Sequence, residues 1–420
     1  MKRRLLVVDA EPALAKSAES ALRAAGFELE RATDGQDALR RIEQNKPDMV
    51  LTDLLLDGMH GFELIRRLRA EPETHHLPIW VVSSQNYWAD LRKALVLGAA
   101  RIIRKPVDVE HLVAELHRDF DHVRLKYWGV RGSIPTPGPS TVKFGGNTPC
   151  VSVEHRGTSL VFDAGTGIRA LGQELLARAK GEPQALALFL SHTHWDHIQG
   201  VPFFAPMFFP GNQVDIFGPS PQAGTLADVL RRQMEAPYFP VTIRDMAAVV
   251  EVTELSRESL DRGPFRISCI YVNHPGPTLA YRIETNGVAI VYATDNEPYQ
   301  RLLANLEGER GGGEQAQRSL DQVLTKFVTG ADLLVCDAQY SPEEYRKKVG
   351  WGHTSYLDAV GLALAAGVKR LALFSHDANQ DDAAVAAKER DSQAYARERG
   401  SDLVVTSAAE LDVIDLPINE

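Results

Sequence analysis

The 420-residue sequence is short of cysteine, of long apolar runs and of basic residues. Its three cysteines, Cys150, Cys269 and Cys336, lie far apart and each sits within an apolar stretch. An odd, scattered set excludes a disulfide framework and fits structural thiols in a reducing compartment. No apolar run approaches the ~20 residues of a membrane span, because charge, Gly or Pro interrupts each one. The start, Met1–Val8, is basic and then apolar, but Asp9 ends the run too early for a signal peptide. The expectation is a cytoplasmic protein with no membrane partner. Lys and Arg number 46 against 56 Asp and Glu, a net charge of −10. That acidic balance argues against broad, sequence-independent binding to nucleic acid and leaves room only for a locally positive groove. With 44% hydrophobic and 24% charged residues the chain reads as globular, and its length calls for two domains.

In the first 120 residues, Leu5–Val8, Met49–Thr52, Ile79–Val82 and Arg101–Arg104 are short apolar runs separated by helical patterns, as in a βαβ parallel sheet. Just past them come Asp9, Asp53, Ser83 and Lys105. Ligand sites of open parallel sheets form at the carboxyl ends of the strands. Two carboxylates, a hydroxyl and a lysine gathered there suit Mg2+-assisted transfer of a phosphoryl group to Asp53. This arrangement resembles the receiver domain of bacterial response regulators. The resemblance implies a five-stranded flavodoxin-like sheet with helices on both faces. It makes Asp53 the phosphoacceptor, Asp9 a Mg2+ ligand, Ser83 the switch hydroxyl and Lys105 the phosphate-sensing lysine. It also implies a sensor histidine kinase as partner and is compatible with a homodimer. Two positions depart from the family. Ala10 stands where a second acid is usual, with Glu11 one place off, which weakens Mg2+ binding; Ile102 stands where the switch aromatic is expected. The amphipathic stretch Val107–Lys126 reads as a helix that closes this domain, with His111, His117 and His122 solvated on it. The boundary is placed at residues 1–122 and 123–420.

The second part is organised around Ser191–His197, which follows the apolar run Ala185–Leu190. His192 and His194, two apart, point the same way if the strand alternation persists, and Asp196 and His197 follow from the loop. Three imidazoles and a carboxylate so close together are a ready ligand set for zinc or a similar divalent ion. Later strands end in the same kind of residue. Phe265–Val272 leads to His274, Val288–Tyr292 to Asp295, Asp332–Val335 to Asp337, and Arg370–Phe374 to His376. Strands ending at one edge of a sandwich can converge on one point. The expected centre holds two ions: His192, His194 and His274 on one, Asp196, His197 and His376 on the other, and Asp295 between them. Such a pair, two Zn2+ or Mn2+ ions about 3.5–4 Å apart, activates water and steadies attacking and leaving oxygens. Hydrolysis of a phosphodiester or of a polarised ester or amide is the chemistry expected. Asp163, after the strand Leu160–Phe162, can hydrogen-bond the metal loop from behind.

Here the His-x-His-x-Asp-His motif and the later ligands resemble the metallo-β-lactamase fold hydrolases, over residues 124–420. The resemblance implies an αββα sandwich, so the whole chain is of α/β class. Three features are similar to the phosphodiesterase branch, which includes tRNase Z and the cyclic-phosphate phosphodiesterases. They are Asp295 within Ala293–Asn296, Gly352-His353-Thr354-Ser355 at the start of the helix Leu357–Ala366, and Ser375-His376-Asp377. By that likeness His353 protonates the leaving oxygen, Asp337 supports it, and Asp196 completes the catalytic set.

Val201–Pro210 and Met234–Pro240 are aromatic and apolar and would pack in the core or cover the site. Leu306–Gln317, with three consecutive glycines, reads as a flexible loop. The leading expectation is therefore a binuclear phosphodiesterase for a small cyclic or nucleotide phosphodiester, with a receiver as regulatory input. Hydrolysis of a lactone, thioester or β-lactam is a second reading, and a non-catalytic signalling or ligand-binding module a third.

Overall fold

The computed structural model describes residues 3–9, 16–85, 87–299 and 314–418. Ala10 and Glu11, the departure at the receiver's Mg2+ position, lie outside them. The N-terminal sheet contains β1 (Arg3–Val8), β2 (Phe27–Ala32), β3 (Met49–Thr52), β4 (Ile79–Ser83) and β5 (Arg101–Arg104). Its five strands are all parallel, in the order β2-β1-β3-β4-β5. Order reverses at β1, so the carboxyl ends of β1 and β3 open a crevice there. The inner strands β3 and β4 and the Leu5–Val8 end of β1 are buried on both faces because helices cover both, whereas the edge strands β2 and β5 carry charged residues. Leu6, Val8, Val50 and Val81 pack one side, and Leu5, Val7, Leu51 and Val82 the other.

Two seven-stranded sheets form the rest of the chain. The first is built from β6 (His122–Gly129), β7 (Cys150–His155), β8 (Thr158–Phe162), β9 (Ala185–Phe189), β10 (Gln213–Pro219) and β11 (Val249–Leu255). The second is built from β12 (Ser259–Arg262), β13 (Phe265–Tyr271), β14 (Leu279–Thr285), β15 (Val288–Ala293), β16 (Leu333–Asp337), β17 (Arg370–Phe374) and β18 (Val404–Ser407). The last strand, β19 (Val413–Pro417), returns to pair with β6. Phe162, Phe189, Phe265, Tyr281, Tyr292 and Phe374 fill the space between the sheets. Ile168, Leu171 and Leu175 of the helix Ile168–Ala179 cover one outer face, and Ala359, Val360 and Ala363 of the helix Tyr356–Ala365 the other. The layers are therefore helix, sheet, sheet, helix, the metallo-β-lactamase sandwich. The β14–β15 turn has positive φ at Asn286 (45°) and Gly287 (73°), the conformation an Asn-Gly hairpin turn requires.

Two expectations change. The helix expected to reach Lys126 spans Val109–Asp121, and the chain becomes extended at His122. Val123, Leu125 and Tyr127 are buried in alternation with half-buried Arg124 and Lys126, a period of two that belongs to a strand. In the glycine-rich stretch, residues 306–313 lie outside the described residues, while Glu314–Gln317 begins the helix Glu314–Val328 rather than continuing a loop.

The receiver packs on the sandwich through its β5 edge and flanking segments. Trp80 donates its indole N–H to Arg156 O at 3.3 Å, and Gly157 has no side chain to strike that ring. Arg104 Nε donates to Glu182 at 2.9 Å, and its guanidinium lies 5.1 Å from the Trp88 ring. Trp88 in turn meets Phe209 edge to face at 5.4 Å.

Candidate metal centre

The edge of the sandwich where β8, β9, β15, β16 and β17 end carries the chemistry. After β9, the chain runs through Ser191–His194 and makes one helical turn, Trp195–Ile198. His192 and His194 come together although the strand has already ended, with ring centroids 4.5 Å apart. His274, past β13, joins them: its Nε2 is 3.1 Å from His194 Nδ1. Asp295, past β15, points Oδ2 at His197 Nε2 (3.2 Å), His192 Nε2 (3.7 Å) and His274 Nε2 (3.8 Å). Asp196 Oδ2 is 3.4 Å from His197 Nε2. Ligand atoms bound ~2.0–2.1 Å from one tetrahedral ion lie about 3.4 Å apart, so these separations fit the edges of metal polyhedra.

His192, His197 and His274 are each turned by a partner on the far side, Ser191 Oγ lying 3.0 Å from His192 Nδ1. Asp163, at φ 59°, accepts from Ser191 N (2.7 Å), Ser191 Oγ (2.8 Å), His197 Nδ1 (2.8 Å) and Tyr292 OH (2.7 Å). His274 Nδ1 donates to Gly352 O at 2.7 Å. A side chain at residue 352 would overlap the His274 ring, and its φ of 86° also favours glycine. Glu297 holds this turn in place, accepting from Gly350 N, Gly352 N and Tyr345 OH.

Among the described residues, the buried Nε2 atoms of His192 and His197 have no hydrogen-bond partner. A buried polar atom without a partner is costly, and two aimed at one carboxylate call for a cation between them. Burial, reinforced by neighbouring imidazoles, holds His192 well below the usual histidine range, and His194 and His274 are lowered by the same cause. They are the neutral imidazoles a metal requires. His197 goes the other way. Burial disfavours its charged form, but Asp196, Asp295 and Asp163 outweigh it and raise the value. Three groups of side chains here could hold a divalent ion: His192, His194 and His274; His192, His197 and Asp295; and His274, Asp295 and His353.

His353 donates Nδ1–H to Asp337 Oδ2 at 2.6 Å, and its Nε2 lies 4.0 Å from Asp295 Oδ2. Burial opposes protonation, but Asp337 and Asp295 overcome it and push the imidazole up to about 9. Ser355 caps the following helix by accepting from Asp358 N.

His376 is not at the centre. Its Nε2 meets Ala408 O at 2.9 Å and its Nδ1 the buried Lys388 ammonium at 3.2 Å. Its backbone pairs with the β6 end, His376 N to Val130 O and Gly132 N to His376 O. The residue before it, Ser375, leaves the strand with a left-handed backbone (φ 55°), and there its side chain turns inward. Ser375 Oγ is 3.3 Å from Asp295 Oδ1. Reading the sequence missed Ser375, because the adjacent histidine carried the stronger chemical signal. It also missed Tyr292, whose only signal was a hydroxyl inside an apolar strand, and Glu297, one more polar residue in the stretch Thr294–Glu297.

The receiver crevice gathers its expected residues. Lys105 Nζ donates to Asp53 Oδ2 at 2.6 Å and approaches Asp9 at 3.3 Å, while Ser83 Oγ donates to Asp53 Oδ1 at 2.8 Å. Asp53 is held by the backbone as well, accepting from Leu54 N at 2.6 Å.

Comparison with known proteins agrees with this architecture. Residues 158–376 match the beta-lactamase superfamily domain, and residues 5–117 match the response regulator receiver domain. The first of these matches covers more than half of the chain, which therefore belongs to the beta-lactamase superfamily, with a receiver domain fused to its sandwich. Response regulator PleD of Caulobacter vibrioides is 34% identical over 116 residues, 28% of this chain and 26% of PleD. The chain thus spans about a quarter of that relative's length. Two solved structures are similar to this region. YhfI of Bacillus subtilis, a metallo-beta-lactamase fold protein, is 17% identical over 70% of this chain and 99% of its own, with a TM-score of 0.49. The short form of human tRNase Z is 20% identical over 70% of this chain and 100% of its own, with a TM-score of 0.44. Among the described residues, no helix is long and apolar enough to cross a membrane.

Proposed function

We propose that this chain is a metal-dependent phosphodiesterase for a small cyclic or nucleotide phosphodiester, with its receiver domain as regulatory input. The observation that carries this reading is the His353–Asp337 pair beside Asp295. It supports a proton donor poised for an alkoxide leaving group, which phosphodiester cleavage needs and an activated lactone or thioester needs far less. His192, His194 and His274 would hold one divalent ion, Asp196 and His197 a second, and Asp295 would serve both. Bound there, such ions supply Lewis acidity toward a phosphoryl oxygen and activate water.

The chain's own residues do the rest. Asp163, Gly352 O and Ser133 N, which donates to Asp196 Oδ2 at 2.7 Å, hold the ligand side chains in register. His353 carries its mobile proton at Nε2, since Nδ1 is committed to Asp337, and delivers it to the departing oxygen. Trp195, between two ligand residues, and Trp351, two residues before His353, are 76% and 62% exposed. Such faces at the rim of the site suit stacking of a nucleobase. In the receiver, Asp53 would accept a phosphoryl group from a sensor histidine kinase, with Lys105 and Ser83 on its oxygens, and Asp9 would hold the Mg2+ that shields the charge.

The test is turnover by the full chain, loaded with Zn2+ or Mn2+, of bis(p-nitrophenyl) phosphate and a panel of cyclic nucleotides. The expected result is phosphodiester cleavage that His353→Ala removes. Cleavage of lactones or thioesters alone, indifferent to His353, would replace this reading with carbonyl hydrolysis. No turnover with ions demonstrably bound would leave a ligand-binding module.

A further inference from the structure

The two halves of the centre do not offer the same donors. On one side stand three imidazoles, His192, His194 and His274, two of them fully turned by partners behind them or by burial. On the other stand the carboxylates of Asp196 and Asp295 and one imidazole, His197. The histidine expected to complete that second set, His376, is occupied on the opposite face by Ala408 O and Lys388. In its place Ser375 presents a hydroxyl 3.3 Å from Asp295 Oδ1. The surroundings of that hydroxyl are shaped for it. A Cβ at Gly132 would lie 2.6 Å from Ser375 Oγ and 3.0 Å from Gln339 Oε1. Gln339 Oε1 is itself buried and has no hydrogen-bond partner among the described residues.

We propose that the two metal positions are unequal: a nitrogen-rich one at His192, His194 and His274 that retains Zn2+, and an oxygen-rich one at Asp196, His197, Asp295 and Ser375 that takes Mn2+ weakly and exchangeably. The inference rests on the metal-dependent reading above and deepens it. Imidazole suits zinc, whereas carboxylates and neutral oxygens suit harder ions. A neutral hydroxyl replaces the fourth strong donor, so the second position loses affinity while the first keeps its full set. Catalysis at such a centre follows the supply of the second ion, which makes the enzyme responsive to free Mn2+.

The experiment uses the purified full-length chain. After exhaustive dialysis against metal-free buffer, elemental analysis is expected to find one zinc per chain. Titration with Mn2+, followed by the paramagnetic resonance of the free ion, then shows uptake of one further ion. Asp196→Asn removes that uptake and leaves the zinc, whereas His274→Ala releases the zinc. Ser375→His is expected to retain a second zinc through dialysis; should it fail to fold, Asp196→Asn decides the matter alone. Two zincs retained by the wild-type chain, or Mn2+ uptake indifferent to Asp196→Asn, overturns the inequality and leaves the metal-dependent reading standing. A chain that binds neither ion overturns both.

Discussion

Asp163 accepts the Nδ1–H of His197 at 2.8 Å and shares the same carboxylate oxygen with the Tyr292 hydroxyl at 2.7 Å. A carboxylate behind a ligating histidine fixes its tautomer and strengthens its donor nitrogen. Asp163→Asn keeps the shape but loses that polarity. It is expected to weaken metal binding by about 10- to 100-fold, checked by competition with a chromophoric chelator. Unchanged affinity would assign Asp163 to packing.

His353 and Asp337 are expected to act as a pair. His353→Ala lowers kcat by about 10²–10⁴-fold, the usual contribution of a positioned proton donor, with a much smaller change in KM. Asp337→Asn gives part of that loss. The donor works only while protonated, so the rate falls as pH rises through its pKa. Without cations nearby that value lies at about 9. Ions seated beside it draw it lower, so the alkaline limb is expected at or below pH 9 and is absent from His353→Ala. A pH–rate profile of kcat decides.

Lys388 offers a stability test away from catalysis. Burial depresses its ammonium from 10.5 to about 7. Between those values the unfolded chain keeps a proton that the folded chain has released. Stability contributed through this group therefore rises with pH across that window, and the penalty is fully present below pH 7. Relative to Lys388→Met, the wild type is expected to gain up to about 1.4 kcal/mol per pH unit. Urea midpoints of both proteins at pH 7, 8 and 9 measure the difference, and parallel curves would sink the idea.

The receiver's influence is expected to pass through β5 and the segment after β4. Lys105, on Asp53, follows Arg104, which is paired with Glu182 of the sandwich. Ser83, also on Asp53, precedes Trp88, which packs on Phe209. Acetyl phosphate with Mg2+ should add one phosphoryl mass to the wild-type chain and none to Asp53→Asn. It should also change the hydrolytic rate of wild type, and Arg104→Ala should blunt that response without lowering the unstimulated rate. A rate that follows phosphorylation equally in Arg104→Ala would move the coupling elsewhere.

Much of this was legible along the chain. Parallel strands buried on both faces must be continuously apolar, so Leu5–Val8 of β1, β3 and β4 declared themselves, as did the polar residues at their ends. The His192–His197 cluster is local, and local spacing alone brings its donors to one edge of the sandwich. Asn286-Gly287 names a hairpin through φ alone. The stretch His122–Gly129 was harder, because its charged Arg124 and Lys126 imitate a helix surface until strand pairing with β7 and β19 reveals the period of two.

What only the tertiary structure decided was which of two adjacent residues faces the cluster of histidines and Asp295. Sequence determined that a polar pair, Ser375-His376, ends β17; it could not determine the direction of either side chain. The β6 end pairs with His376, while Ala408 O and the Lys388 ammonium capture its ring, and all three arrive from distant parts of the chain. With the backbone held there, Ser375 takes a left-handed conformation (φ 55°) and brings its hydroxyl to 3.3 Å from Asp295 Oδ1, an arrangement that no local pattern encodes.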